Sequence, residues 1–141
     1  MELGLKFSSD VAGWVAGVRF YRGGIGNDGP HVGSLWTNGG TLLAQVTFAS
    51  ETSSGWQQAM FAAPVAINAN TIYVVSYHAP VGAYSVDLNY FTNAGADNTP
   101  LHAPVSSQLN GNGVYTYGSM STFPTQTYGD SNYWVDVVFA R

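Results

Sequence analysis

Apolar residues along this chain recur at every second position, in short runs separated by glycine, asparagine, serine and proline. In the run Trp14–Tyr21, Trp14, Ala16, Val18 and Phe20 share one face while Arg19 and Tyr21 fall on the other. That is the period-two signature of a half-buried strand. Leu42, Ala44, Val46 and Phe48 repeat the pattern, and so do Tyr133, Val135, Val137 and Phe139. Val32–Thr37 and Trp56–Ala62 supply further strands, and Asn38-Gly39-Gly40 marks a hairpin turn because its residues accept positive φ. Thr71–His78 is so rich in β-branched and aromatic residues that it is expected at the centre of a sheet. From Ala79 to Asn132 the alternation loosens, with short strands expected at Tyr84–Phe91 and Val114–Tyr117. No window carries a helical i, i+3, i+4 stripe. The pattern predicts an all-β chain: one β-sandwich over residues 1–141, jelly-roll-like, with about eight or nine antiparallel strands.

Composition changes the picture in one respect. Only 9% of residues are charged, against roughly 25% in ordinary soluble domains, while hydrophobic content stays at 45%. Glycine, serine, threonine and asparagine replace the missing charge, as in an extracellular β domain. The fixed cations are Lys6, Arg19, Arg22 and Arg141, and the net charge is −4. Such a set excludes a nucleic-acid partner, which needs clustered cations on phosphates, and argues against docking to an anionic membrane. No run approaches the roughly 20 apolar residues of a membrane span, so membrane insertion is not expected. The absence of cysteine removes disulfides, thiolate metal sites and thiol nucleophiles. The chain starts almost inside a strand and stops just after another, which suggests a module of a longer secreted or cell-surface polypeptide, beside other domains.

Few motifs carry chemistry. Gly24-Ile25-Gly26-Asn27-Asp28-Gly29 satisfies G-x-G-x-x-G, but Pro30-His31-Val32 leads into a strand, not the helix that pyrophosphate binding requires. The segment reads as a turn. His31, His78 and His102 lack ligand spacing, and no G-x-S-x-G elbow supports a serine hydrolase. Asp87, Asp97, Asp130 and Asp136 could furnish a glycosidase pair if two stood about 5–10 Å apart. Loop bracing and calcium ligation fit the same acids. No cofactor is required on this reading, and calcium is the one ion with a plausible donor set.

The aromatic content, 14% of residues, is unusual in its placement. Tyr84, Tyr90, Phe91, Tyr115, Tyr117, Phe123 and Tyr128 lie among turn-forming residues. Rings beside short amide and hydroxyl side chains suit neutral, hydroxyl-bearing ligands: the ring stacks on C–H faces and the amides bond the hydroxyls. Trp14 is expected in the core with Val18 and Phe20, Trp56 against its turn, and Trp134 facing outward. The segment Asn110–Gly118 adds glycines that admit a ligand close to the backbone, Asn112 as donor and acceptor, and Tyr115 and Tyr117 on one face. Tyr84, Tyr115, Tyr117 and Trp134 are the expected ligand platforms, with His78, Asp87, Asn112 and Arg22 as polar partners. Packing of loops explains any single one of these rings equally well.

Several phrases together resemble a family of bacterial extracellular domains catalogued as a domain of unknown function. They are Gly17-Val18-Arg19-Phe20-Tyr21, Gly33-Ser34-Leu35-Trp36, Glu51-Thr52 with Gly55-Trp56-Gln57-Gln58, Asn112-Gly113-Val114-Tyr115 and Asn132-Tyr133-Trp134-Val135-Asp136-Val137. The resemblance implies an extracellular β-sandwich accessory domain that occurs beside immunoglobulin-like and polysaccharide-active modules. It implies no active site. The function expected is non-catalytic binding of a polysaccharide or oligosaccharide. A structural spacer or adhesion module and a small polysaccharide-degrading enzyme are the alternatives.

Overall fold

A computed structural model describes the whole chain, Met1–Arg141. Its strands, in chain order, are β1 (Glu2–Ser9), β2 (Gly13–Arg22), β3 (Val32–Thr37), β4 (Leu42–Thr47), β5 (Gly55–Ile67), β6 (Tyr73–His78), β7 (Ala96–Asn98), β8 (Leu101–Ala103), β9 (Val114–Thr116), β10 (Gln126–Thr127) and β11 (Val135–Ala140). Every pairing is antiparallel. An eight-stranded sheet follows the path β10–β9–β1–β6–β3–β4, with the β7–β8 hairpin joined to β1 through β8; β11–β2–β5 form a three-stranded sheet. The two sheets pack face to face as a β-sandwich.

The core is aromatic. Phe20 of β2 stacks on Tyr77 of β6 at 4.4 Å, meets Phe48 edge-on at 4.9 Å, and lies 4.5 Å from the His31 ring. Val15, Val18, Leu35, Val75, Val135 and Val137 fill the space around them. As the composition of Thr71–His78 predicts, β6 sits between β1 and β3 and is buried at every residue. Tyr73, Val75 and Tyr77 face the core, and Val74, Ser76 and His78 face the other way.

That second face of β6 is covered by the segment 118–125. Phe123 packs against Trp36 at 5.5 Å, and the Ser121 hydroxyl lies 3.3 Å from that of Ser34. A Cβ on Gly4 would stand 3.0 Å from the Val75 carbonyl and 3.1 Å from the Pro124 ring, so glycine lets this strap close. Beneath it, the Ser76 hydroxyl donates to Glu2 Oε2 at 2.6 Å and accepts from the Trp36 indole at 2.8 Å. Burial pushes the Glu2 carboxyl up to about 7, against the opposing hydrogen bonds from Ser76, Ser121 and Thr122. His78 Nδ1 is 3.3 Å from Glu2 Oε1, without hydrogen-bond geometry, and burial holds this imidazole below its ordinary value.

The structure departs from the sequence pattern in three places. Trp14 is 48% exposed, not in the core, because the register between β2 and β5 shifts between Val15 and Gly17. The shift resets the alternation, so Val15 and Val18 both point inward and Trp14 points out. Tyr84–Phe91 forms no strand; only Asp87 bridges to Asn132 there. The β7–β8 hairpin occupies a region where the alternation predicts no strand, and the strands number eleven where about eight or nine are expected.

Two outcomes follow from this packing. Phe20→Ala is expected to lower unfolding free energy by about 3–5 kcal/mol in urea titrations, whereas Trp14→Ala is expected to cost about 1 kcal/mol or less. Glu2 contributes a pH dependence: its folded-state value of about 7 exceeds its ordinary 4.5, so its contribution is fully present below pH 4.5 and is lost as pH rises through about 7. Glu2→Gln is expected to flatten that decline in thermal melts; an unchanged pH profile would show that the carboxyl is not buried.

Candidate functional site

A cleft opens where the two sheets part, between the β7–β8 hairpin on one side and β11 on the other. Its volume is about 220 Å³. Phe7, Phe91, Val135 and Val137, all buried, form its floor. Trp56, Tyr90 and Trp134 stand at its rim, and Asp97, Asn98, His102 and Asp136 supply polar groups along its walls. A second cavity of about 350 Å³, lined by Arg19, Gln58, Asn98 and Asp136, adjoins it over the turn of the hairpin.

Trp134 is held in an unusual conformation. Its φ is 56°, in the left-handed region that a bulky residue rarely adopts, at a cost of about 1–3 kcal/mol. Three hydrogen bonds hold it there. Its N–H donates to Asn132 Oδ1 at 2.8 Å, its carbonyl accepts from the Tyr21 N–H at 2.9 Å, and its indole donates to Asp87 Oδ2 at 2.7 Å. The kink turns the indole out of the alternation of β11 and sets it edge-on to Tyr90 at 5.4 Å. Trp56 is 44% exposed; it meets Tyr21 edge-on at 5.7 Å, and the Arg19 guanidinium lies 4.7 Å over its ring.

The hairpin is fixed by one imidazole. His102 Nδ1 is 2.6 Å from Asp97 Oδ1, directly opposite in register, and Nε2 is 2.8 Å from Asp10 Oδ1 in the β1–β2 turn. Hydrogen bonds and charge from the two carboxylates raise the His102 pKa. Asp136 lies opposite Arg19, and burial raises its carboxyl in spite of a bond from the Val137 N–H and the Arg19 charge. No group of three or more His, Cys, Asp or Glu side chains is arranged to hold a metal ion.

Of the residues expected from the sequence, Trp134 and Asp87 meet at this cleft through their hydrogen bond. Tyr84, Tyr115 and Tyr117 gather elsewhere: Tyr115 and Tyr117 are 5.6 Å apart, and Tyr84 meets the buried Tyr133 at 5.6 Å. Tyr117 is exposed, but Tyr84 and Tyr115 pack against the core. His78 lies under the strap beside Glu2 and does not line the cleft.

Asn112 is fully buried and its amide is spent on the backbone. Oδ1 accepts from the Lys6 and Gly113 N–H groups, and Nδ2 donates to the Lys6 and Pro104 carbonyls. Arg22 braces the loops around β3, reaching Asp28 at 2.9 Å, Glu51 at 3.5 Å and the Thr52 carbonyl at 3.0 Å. Glu51 also holds the buried His31 at 2.7 Å. The sequence reading missed Trp56, Tyr90, Asn98 and His102 as site residues. The signal it could have used is the five-residue spacing of Asp97 and His102 about Thr99-Pro100, which places the two side chains across a short hairpin.

A family model described as "Domain of unknown function (DUF4082)" matches residues 1–135, and the chain belongs to that family. No curated protein matches the chain. No helix is long and apolar enough to cross a membrane.

The His102 clamp has a measurable consequence. Its pKa is raised above the ordinary 6.5, so the pairing is fully present below pH 6.5 and weakens as pH rises through the raised value. NMR titration is expected to place His102 above 6.5, with Asp97→Asn and Asp10→Asn each bringing it down.

Proposed function

We propose that this domain is a non-catalytic carbohydrate-binding module of a secreted or cell-surface polypeptide, taking a polysaccharide or oligosaccharide into the cleft between the β7–β8 hairpin and β11. The observation that carries this reading is the pairing of chemistries around one concavity. Trp56, Tyr90 and Trp134 offer ring faces and edges to the apolar C–H surface of a sugar, and Asp97, Asn98 and Asp136 offer donors and acceptors to its hydroxyls, with Asp97 held in place by His102. The strained backbone at Trp134 supports it too, because three hydrogen bonds hold an indole at a solvent-facing rim where packing alone would not require it.

A hydrolytic reading draws on one observation. Asp97 and Asp136 line the same cleft, and burial raises the Asp136 carboxyl above its ordinary value, a shift in the direction a general acid needs. Binding is preferred, because the full polar and aromatic lining serves it without a second carboxylate in a defined position.

A glycan array followed by calorimetry tests the proposal. Ring stacking contributes about 1 kcal/mol per contact beyond buried area, so dissociation constants from micromolar to millimolar are expected. Trp134→Ala and Trp56→Ala should each weaken binding about five-fold or more, with circular dichroism unchanged and a chelator without effect. Reducing sugar released from the same glycans, and lost in Asp136→Asn, would replace binding with hydrolysis. Folded protein that retains no glycan would refute both and leave a spacer or adhesion role.

A further inference from the structure

The solvent face of the three-stranded sheet continues from the cleft and carries its own arrangement. In register across β5, β2 and β11 lie Trp56 and Tyr21; then Gln58, Arg19 and Asp136; then Met60, Gly17 and Val138; then Ala66, Trp14 and Ala140. Exposed rings thus stand at both ends, Trp56 and Tyr21 at one and Trp14 at the other. Between them stand the polar row Gln58, Arg19 and Asp136 and the half-exposed Met60, beside positions with little or no side chain. Gly17 has no room for a side chain, since a Cβ there would meet the Ala59 carbonyl and would lie 2.9 Å from Met60 Sδ, and Ala66 and Ala140 are small. At about 3.3 Å per residue, the seven steps from Trp14 to Tyr21 span roughly 23 Å, enough for several pyranose rings in a row.

We infer that this face is the extended subsite of the same binding site, and that the ligand is a straight, ribbon-like, uncharged glycan bound along its length instead of by its end. The inference rests on the carbohydrate-binding reading and narrows it. Three features carry it. The second cavity joins the cleft to the middle of this face through Asn98 and Asp136, so the groove is continuous. The Thr99-Pro100 turn of the β7–β8 hairpin lines the second cavity beside β11, so the hairpin walls the face along that edge. The middle row sets Arg19 between Gln58 and Asp136, so opposite charges adjoin and the polar groups present hydrogen bonds without a net field for an ionic ligand. Exposed rings set this far apart on one face match a ribbon chain that runs straight between them, and do not match the curvature of a helical one.

Calorimetry with cello- and manno-oligosaccharides of increasing length, and with malto-oligosaccharides as the helical control, tests this. Affinity for at least one ribbon series should rise with each added sugar up to about four or five units, the number the span accommodates. Trp14→Ala should weaken binding of the longest member about five- to ten-fold and leave the disaccharide unchanged, whereas Trp134→Ala should weaken both. In the unaltered protein, the Trp14 indole NMR signal should shift with the long ligand and not with the disaccharide, a readout independent of the variant's folding. Affinity that stops rising at the disaccharide, with Trp14 silent, would overturn the extended subsite while the cleft stands. Preference for the malto series, or a Trp14 signal that moves with protein concentration as copies associate, would overturn it as well. Absence of binding to every glycan, with Trp134→Ala without effect, would instead remove the reading on which it rests.

Discussion

One asparagine amide stands in for a missing length of strand. The outer edge of β1 is shared: Glu2–Gly4 pair with β9, and Ser8–Ser9 pair with β8. Between the two partners, the Lys6 N–H and carbonyl bond to Asn112, which meets both with its Oδ1 and Nδ2. Leaving such buried backbone groups unpaired costs about 1–3 kcal/mol each. The same amide donates to the Pro104 carbonyl just past β8, and the Asn112 N–H donates to the Ser106 hydroxyl. Asn112 therefore fixes where β9 starts and where the β7–β8 hairpin ends. The cleft exists because that hairpin stands away from β11.

The inequality of the two sheets does the rest. Eight strands face three, so the smaller sheet ends at β11 before the larger one does, and the hairpin overhangs its free edge. The overhang covers an apolar floor that would otherwise meet water. It leaves the cleft of about 220 Å³ between the hairpin and β11. His102, bonded to Asp97 within the hairpin and to Asp10 outside it, ties the overhang to the turn between β1 and β2. A wall fixed at both its base and its tip is preorganised, and a rigid wall loses little entropy when a ligand arrives.

Much of this was legible in the sequence. The all-β class, the central position of β6 and the strands β3, β4 and β11 follow from alternation and β-branching, because burial on one face imposes period two on the residue types; β11 starts at Val135, three residues after the expected Asn132. What escaped was whatever broke the period. Trp14 shares parity with Val18 and Phe20, and only the register shift after Val15 separates them. Asn112 has the chemistry of a ligand contact and of a backbone staple alike, and which of the two it serves depends on Lys6, far away in sequence. Trp134 could be read as outward-facing, but its left-handed backbone and its bond to Asp87 depend on residues that alternation does not connect. The hairpin strands β7 and β8 have three residues each, too few for a periodicity to register.

Charge economy links the fold to the kind of ligand proposed. Lys6 donates to the Leu109 carbonyl at 3.0 Å and Arg22 is engaged with Asp28, Glu51 and Thr52, so two of the cations serve loops. Arg19 remains on the face of the three-stranded sheet, where it lies over Trp56 and opposite Asp136. A guanidinium in that setting acts through its planar donors more than through its net charge, since the adjacent carboxylate offsets the field. Long-range steering of an anionic polymer needs an unbalanced field, and this face has none to offer. Short-range stacking and hydrogen bonding are what remain. Both favour a partner that is uncharged, rich in hydroxyls and flat enough to touch rings at the two ends of the sheet.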